Sequence, residues 1–112
     1  MTRPIVHVAM ATYNGQPWIG RQVATVLDQD GVEVRLIISD DGSTDGTRDW
    51  ARGLAERDSR VVVLPERDGE AGVAANFLYA LAHLDVRPGE YAAFSDQDDL
   101  WQPRKLIEQI HF

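Results

Sequence analysis

The 112-residue chain has no cysteine, and that absence excludes disulfides, zinc–thiolate centres and thiol catalysis together. Basic residues are scarce: 11 Lys and Arg stand against 18 Asp and Glu, a formal net charge of -7. So acidic a chain lacks the positive face that supplies most nucleic-acid affinity, so nucleic acid is not an expected partner. Any phosphorylated ligand must be attracted by something other than net charge. No apolar run approaches the roughly 18 residues of a membrane-spanning helix. The N-terminal MTRPIVHVAMATYNG, with one Arg and a short apolar run broken by His7, is not a signal-peptide core. The expected location is cytoplasmic, with any contact at the inner membrane face made through sequence outside these residues. With Gly at 9 and Pro at 5, neither enriched, collagenous and low-complexity classes fall away. What is present, 44% hydrophobic residues in a chain of this length, suits one domain over residues 1–112 with a single core.

The apolar pattern alternates between two periods. Ile5 to Ala11 (IVHVAMA) is a short apolar run with β-branched residues, ended by Thr12-Tyr13-Asn14-Gly15, and predicts a buried strand entering a turn. Ile19, Val23, Val26 and Leu27, at i, i+4, i+7 and i+8, predict a helix that Pro17 opens and Asp30-Gly31 ends. Val32 to Ser39 predicts a second strand, followed by a turn-rich run to Thr47 and a helix with Trp50 and Leu54 on its inner side. Arg60 to Leu64 is a third strand and residues 65–72 a polar loop; Phe77, Leu78, Leu81 and Leu84 mark a third helix. Tyr91 to Ser95 is a fourth strand, and Pro103 opens a last helix carrying Leu106, Ile107 and Ile110. Strict β-α alternation with apolar strands predicts an α/β fold: a mostly parallel, doubly wound, Rossmann-like sheet with helices on both faces. The ligand crevice of such a sheet lies beyond the carboxyl ends of its strands. Segments Ala11 to Asn14, Asp40 to Asp45 and Asp96 to Asp99 are predicted there.

Six of the 18 acids (Asp40, Asp41, Asp45, Asp96, Asp98, Asp99) follow two strands that could lie near one another. Gathered like charge destabilises a fold unless something neutralises it. A hard divalent cation is one answer, because Mg²⁺ or Mn²⁺ takes oxygen ligands and bridges carboxylates to a substrate diphosphate. The plainer answer is local: Asp and Asn favour turns, and Asp45 or Ser43 serves equally as a helix cap. Three acids in four residues directly after an apolar strand are harder to read as turn alone.

Other motifs fail. Asp41-x-Ser43-x-Asp45-Gly46 begins like an EF-hand loop, but Arg52 stands at the twelfth position, where a bidentate Glu is required. The first turn, Thr12 to Pro17, has one glycine and no G-x-G-x-x-G, and there is no G-x-x-x-x-G-K-[ST] or G-x-S-x-G. Asp96-x-Asp98 also suits a haloacid-dehalogenase-type phosphatase with Asp96 as nucleophile, although Leu100 stands where Thr or Val is expected and the strand is the fourth. Tyr13 suits either contact with a nucleobase or cover for the sheet end. Trp50 reads as core, Trp101 as a staple for the last helix, and His7, His83 and His111 as structural.

Ala11-Thr12-Tyr13-Asn14-Gly15, then Ile38 to Thr47 (ISDDGSTDGT), Gly72 to Asn76 (GVAAN) and Phe94 to Trp101 (FSDQDDLW) resemble, in order, the motifs of family 2 glycosyltransferases with the GT-A fold. The Ser-Asp-Gln-Asp-Asp-x-Trp form, with Pro103-x-Lys105-Leu106 behind it, is most similar to the rhamnosyltransferase-like branch. The resemblance implies that Ala11, Thr12, Tyr13 and Asn14 contact the nucleotide, that Asp41 hydrogen-bonds the base, and that Asp40 supports that loop. It makes Asp96-x-Asp98 the D-x-D signature: Asp98 holds Mg²⁺ or Mn²⁺ on the diphosphate, Asp96 contacts ribose or sugar and belongs to the same metal site, and Asp99 assists through water. Arg67 and Asn76 fall in segments that approach the donor. The implied reaction transfers sugar, with inversion, from a UDP- or dTDP-linked donor to a saccharide or lipid-linked acceptor hydroxyl in cell-surface polysaccharide synthesis. The general base is expected beyond Phe112, so these residues are expected to be a truncated, inactive donor-binding portion. Two other functions fit the same residues: a nucleotide-diphosphate-binding module without turnover, and the phosphatase. An apolar surface along Leu106, Ile107 and Ile110 suits self-association into a homo-oligomer.

Overall fold

Alternate residues of the first two strands are branched or bulky and apolar, and that alternation builds one face of the sheet. The computed structural model describes residues 2–67, 69, 72–96 and 100–110. Its elements are β1 (Ile5–Thr12), α1 (Ile19–Leu27), β2 (Glu33–Asp40), α2 (Thr47–Arg57), β3 (Val61–Val63), α3 (Val73–Ala82), β4 (Tyr91–Ser95) and α4 (Lys105–Ile110). The strands form one sheet in the order β3-β2-β1-β4, every pair parallel. Register pairs Val6, Val8 and Met10 of β1 with Val34, Leu36 and Ile38 of β2, so these six point to one side. There they join Ile19, Val23 and Val26 of α1, Ala51 of α2, and Trp101 and Leu106 in the main core. A methyl on Gly20 would sit 3.5 Å from Trp50 Cζ2, which is how closely α1 and α2 pack.

The other face carries the small residues Ala9 and Ala11, and α3 lies over it through Asn76 and the fully buried Ala80. Phe77 of α3 meets Phe94 of β4 edge-on, ring centroids 6.3 Å apart. Stepping from β1 to β2 to β3 puts α1 and α2 on one side, and stepping back across the sheet to β4 puts α3 on the other, as right-handed crossovers require. The order therefore reverses between β1 and β4, and the crevice of such a sheet opens at their carboxyl ends.

Several expectations need correction. β1 and β2 each run one residue further, to Thr12 and Asp40, because these two side chains hydrogen-bond to each other in register. The first and last helices begin at Ile19 and Lys105, two residues after the prolines expected to open them. Leu78 and Leu81 are exposed and Leu84 lies beyond α3, whose buried residues are Asn76 and Ala80; Asn76 hydrogen-bonds Ser39 at the end of β2, which turns this face, and not the leucines, to the sheet. The last helix does not present a free apolar face: Leu106 is in the core, and Ile107 and Ile110 pack against it. Trp50 is a partly buried neighbour of the core, whereas Trp101 is buried beside α4 with Lys105 Nζ 5.4 Å from its ring centroid. His7 pairs with Glu90 at the amino end of the sheet, Nε2 to Oε1 2.7 Å, and His83 follows α3 with Nδ1 2.8 Å from the Tyr79 carbonyl. His111 lies outside the described residues.

Candidate functional site

A cavity of about 490 Å³ opens where the sheet order reverses, between the ends of β1 and β4 and the start of α3. Six of the nine candidate binding residues line it: Ala11, Thr12, Tyr13, Asp41, Asn76 and Asp96, joined by Gly72, Val73 and Phe77. The two acid-bearing strands are not adjacent, since β2 and β4 flank β1 on opposite sides, yet Asp41 and Asp96 face the same space across the β1 loop. Asn14 and Asp40 stand behind this lining. Asp98 and Asp99 lie outside the described residues.

Each acid of the β2 loop has partners within the protein. Asp40, 5% exposed, accepts from Thr12 Oγ1 at 2.7 Å, Ser43 Oγ at 2.6 Å and the Ser43 amide at 2.9 Å. Asp41 Oδ1 lies 2.9 Å from Arg67 Nη2, its Oδ2 accepts from the Gly72 amide at 2.8 Å, and its own amide donates to the Thr12 carbonyl. Asp45 accepts from the Thr47 hydroxyl at 2.5 Å and from the amides of Thr47 and Gln16, both at 3.0 Å. The Thr47 hydroxyl bond first, then the amide bonds, holds the Asp45 carboxyl below the ordinary carboxylate range. Within this loop Asp41 is thus paired with a guanidinium, while Asp40 and Asp45 are held by hydroxyl and amide donors. Neither Asp45 nor Ser43 is the N-cap of α2; Gly46 is, with φ 92°, a left-handed conformation suited to glycine.

The β1 and β2 loops are zipped together. Asn14 adopts φ 48°, which Asn tolerates better than most residues, and its Oδ1 accepts from the Thr44 amide at 2.8 Å. Its amide donates to Ser43 Oγ at 2.8 Å, and the Gly15 amide donates to Thr47 Oγ1 at 2.9 Å. Asn76, buried at the start of α3, accepts from Ser39 Oγ at 2.5 Å and donates to the Ser39 carbonyl at 2.9 Å and more weakly to that of Thr12 at 3.5 Å. Arg48 reaches the Leu64 carbonyl at 3.2 Å and the Asp40 carbonyl at 3.4 Å, tying α2 to the ends of β2 and β3. Tyr13 is half exposed at the cavity mouth. Sequence reasoning missed Arg48 and a polar row on α1, described below. The visible signal for the latter is Gln22, Thr25 and Gln29 at spacings of three and four along α1 and just past its end.

Among the described residues no three His, Asp or Glu side chains converge on a point that would cage a metal ion. The donor set fits a different arrangement: Asp96 places a hard oxygen donor at the cavity, and Mg²⁺ is commonly held by one or two carboxylates together with substrate phosphates. The described residues include no helix long and apolar enough to cross a membrane.

Comparison with known proteins agrees with this geometry. The model of glycosyl transferase family 2 matches residues 7–112. The chain is 36% identical over 102 residues to the dTDP-rhamnosyl transferase RfbG of Shigella flexneri, covering 90% of this chain and 35% of that protein. It is 36% identical over 110 residues to the Escherichia coli UDP-Glc:alpha-D-GlcNAc-diphosphoundecaprenol beta-1,3-glucosyltransferase WfaP, covering 96% and 41%. Among solved structures, the mannosyltransferase PcManGT from Pyrobaculum calidifontis, in complex with GDP-Man and Mn²⁺, superposes with a TM-score of 0.74 at 30% identity over 96% of this chain and 31% of that one. The S. aureus TarS 1–349 fragment shares the fold, with a TM-score of 0.72 at 24% identity over 99% of this chain and 30% of that one. The chain therefore spans about two fifths or less of the length of these relatives. A parallel sheet of this order, a cavity at its switch point and a family match over nearly every residue lead to one conclusion: the chain has the GT-A fold and belongs to glycosyl transferase family 2.

Proposed function

We propose that residues 1–112 form the donor-binding portion of a glycosyltransferase that moves a sugar from a nucleoside diphosphate to an acceptor hydroxyl, with inversion, in polysaccharide synthesis on the cytoplasmic side of the membrane. The observation that carries this reading is the convergence of Thr12, Tyr13, Asp41 and Asp96 on one cavity at the switch point. Tyr13 offers an aromatic face to the base. Asp41 offers carboxylate oxygens as acceptors, held in place by Arg67 and the Gly72 amide. The donors named for the relatives carry thymine, uracil and guanine, each with a ring N–H that an acceptor carboxylate can receive. Thr12 and Asn14 set the β1 loop against the β2 loop, and Asp96 stands on the opposite wall, where the diphosphate would extend.

Asp96 and Asp98 are the residues that would hold Mg²⁺ or Mn²⁺, and the named complex of PcManGT with Mn²⁺ supports a metal here. When bound, the ion supplies Lewis-acid stabilisation of the charge that builds on the departing diphosphate. The protein's own part is to fix the base, orient the diphosphate and exclude water from the sugar carbon. The titratable side chains among the described lining are Tyr13, Asp41 and Asp96. Asp41 is committed to Arg67 and Gly72, so it is not the general base that takes the acceptor proton. A saccharide or lipid-linked acceptor follows from the same reading.

Calorimetry with uridine diphosphate and thymidine diphosphate, each with and without Mn²⁺, tests the proposal. Binding that tightens with Mn²⁺ and loses that gain in Asp98→Ala is expected; no binding, or a gain unaffected by Asp98→Ala, would overturn it.

A further inference from the structure

Helix α1 carries two buried rows. Ile19, Val23 and Val26 face the core, as an amphipathic helix requires. The second row is polar: Gln22 is 0% exposed, Thr25 is half-buried, and Gln29, just past the helix end, is 6% exposed. All three reach the same piece of chain, the connection from β4 to α4. Gln22 Nε2 donates to Ser95 Oγ at 3.0 Å and to the Asp96 carbonyl. Thr25 Oγ1 accepts from the Trp101 amide at 3.1 Å and donates to the Gln22 carbonyl at 2.8 Å. Gln29 Nε2 donates to the Gln102 carbonyl at 2.8 Å, and its Oε1 accepts from the Leu106 amide at 3.0 Å.

The connection is thus fastened to one helix at both ends, before and after the acidic run that begins at Asp96. Burying a side-chain amide costs free energy unless its hydrogen bonds are made, and an apolar row would cover β4 without that cost. A polar row is required when the position of particular backbone atoms matters. Ser95 is itself 0% exposed, so Gln22 addresses a fixed point on the strand and the first carbonyl past it.

We propose that Gln22, with Thr25 and Gln29 as its continuation, is a positioning group that sets Asp96 at the cavity for a metal-bound nucleoside diphosphate. The proposal rests on the donor-binding reading above. Groups that orient metal ligands from behind typically change metal affinity by about 10–100-fold when removed. Gln22 touches neither nucleotide nor metal in this account; it acts through the Ser95 hydroxyl and the Asp96 carbonyl.

Titration of uridine diphosphate with and without Mn²⁺ on wild type, Gln22→Met and Thr25→Val separates the contributions. Gln22→Met is expected to leave metal-free binding unchanged and to reduce the Mn²⁺-dependent gain by about 10–100-fold; Thr25→Val shows the same split to a smaller degree. Amide hydrogen exchange on the ligand-free proteins should accelerate at Ser95 and Asp96 in Gln22→Met and at Trp101 in Thr25→Val, with β2 unaltered. Should Gln22→Met fail to fold, Thr25→Val carries the test, because its residue is only half-buried. Equal losses with and without metal, or an undiminished Mn²⁺ gain, overturn the positioning role while the donor-binding reading stands. A wild-type protein that gains nothing from Mn²⁺ overturns the reading and the positioning role with it.

Discussion

Arg67 and Asp41 form a largely enclosed ion pair, Nη2 to Oδ1 2.9 Å, with side chains 11% and 15% exposed, and it joins the polar loop after β3 to the end of β2. The Gly72 amide on the other carboxylate oxygen closes the arrangement, so Asp41 fastens both the start and the end of that loop. Breaking a buried pair from one side leaves an uncompensated charge, which costs more than the pair contributes when intact. Because both side chains keep some solvent contact, Arg67→Met should destabilise the fold by about 1–3 kcal/mol. Asp41→Asn in the same background should cost less than it does alone. A urea-unfolding double-mutant cycle measures this coupling, and strictly additive effects would show that the pair is incidental.

Asp40 is the hub of the neighbouring turn. Its replacement by Ala strands the Thr12 hydroxyl, the Ser43 hydroxyl and the Ser43 amide, of which Thr12 is 1% exposed. A loss of about 2–4 kcal/mol is expected from these unmade bonds. Ser43→Ala, which keeps the Ser43 amide bond to Asp40 but loses the hydroxyl bonds to Asp40 and from the Asn14 amide, should cost about 1–2 kcal/mol. Comparable losses for the two variants in thermal or urea unfolding would contradict the assignment.

The orientation of α3 makes a contrasting pair. Leu78→Ala, at a residue 65% exposed, should change stability by no more than about 0.5 kcal/mol. Leu36→Ala, at a core residue 1% exposed, should cost about 2–5 kcal/mol. Ala80→Leu should also destabilise, by about 1–3 kcal/mol, because Ala80 is 0% exposed on the inner side of the helix. Tolerance of Ala80→Leu would mean that α3 stands further from the sheet.

The strand and helix order was legible because the first half of the chain separates cleanly: Ile5 to Ala11 is a short apolar run with β-branched residues, and Ile19, Val23, Val26 and Leu27 recur at helical spacing. The third helix misled for a physical reason. Its inner side is Ala80 and Asn76, small or polar, while its leucines point outward, so periodicity selects the wrong face. The candidate site was legible as composition, with acids and Asn at strand ends, but not as pairing. Nothing local indicates that Arg67 seats on Asp41, 26 positions earlier, or that Gln22 reaches Ser95, 73 positions later. The strand order that puts β1 between β2 and β4 is what brings the two acidic loops to one cavity.

Acid should weaken the loop zipper in a specific way. The folded Asp45 carboxyl is held below its ordinary value of 3.8, chiefly by the Thr47 hydroxyl. Its contribution is therefore fully present above that ordinary value and is lost as pH falls through the lower folded value. Asp45→Asn should be less stable than wild type at neutral pH, and the difference should shrink in acid below 3.8. Asp58 and Glu90, held low chiefly by hydrogen bonds with Arg60 and His7, are common to both proteins and drop out of the comparison. Urea midpoints across that range provide the check; a constant difference would contradict the role given to the Asp45 charge.

The central claim, that a nucleoside diphosphate occupies the cavity between β1, β4 and the start of α3, is tested most directly by amide chemical-shift mapping of the ¹⁵N-labelled chain titrated with uridine diphosphate and Mg²⁺. The account predicts that the large shifts fall on Ala11 to Asn14, Asp41, Gly72 to Phe77 and the Ser95–Trp101 segment, with the amino end of the sheet around His7 and Glu90 unmoved. No shifts, or shifts centred away from those loops, would contradict it.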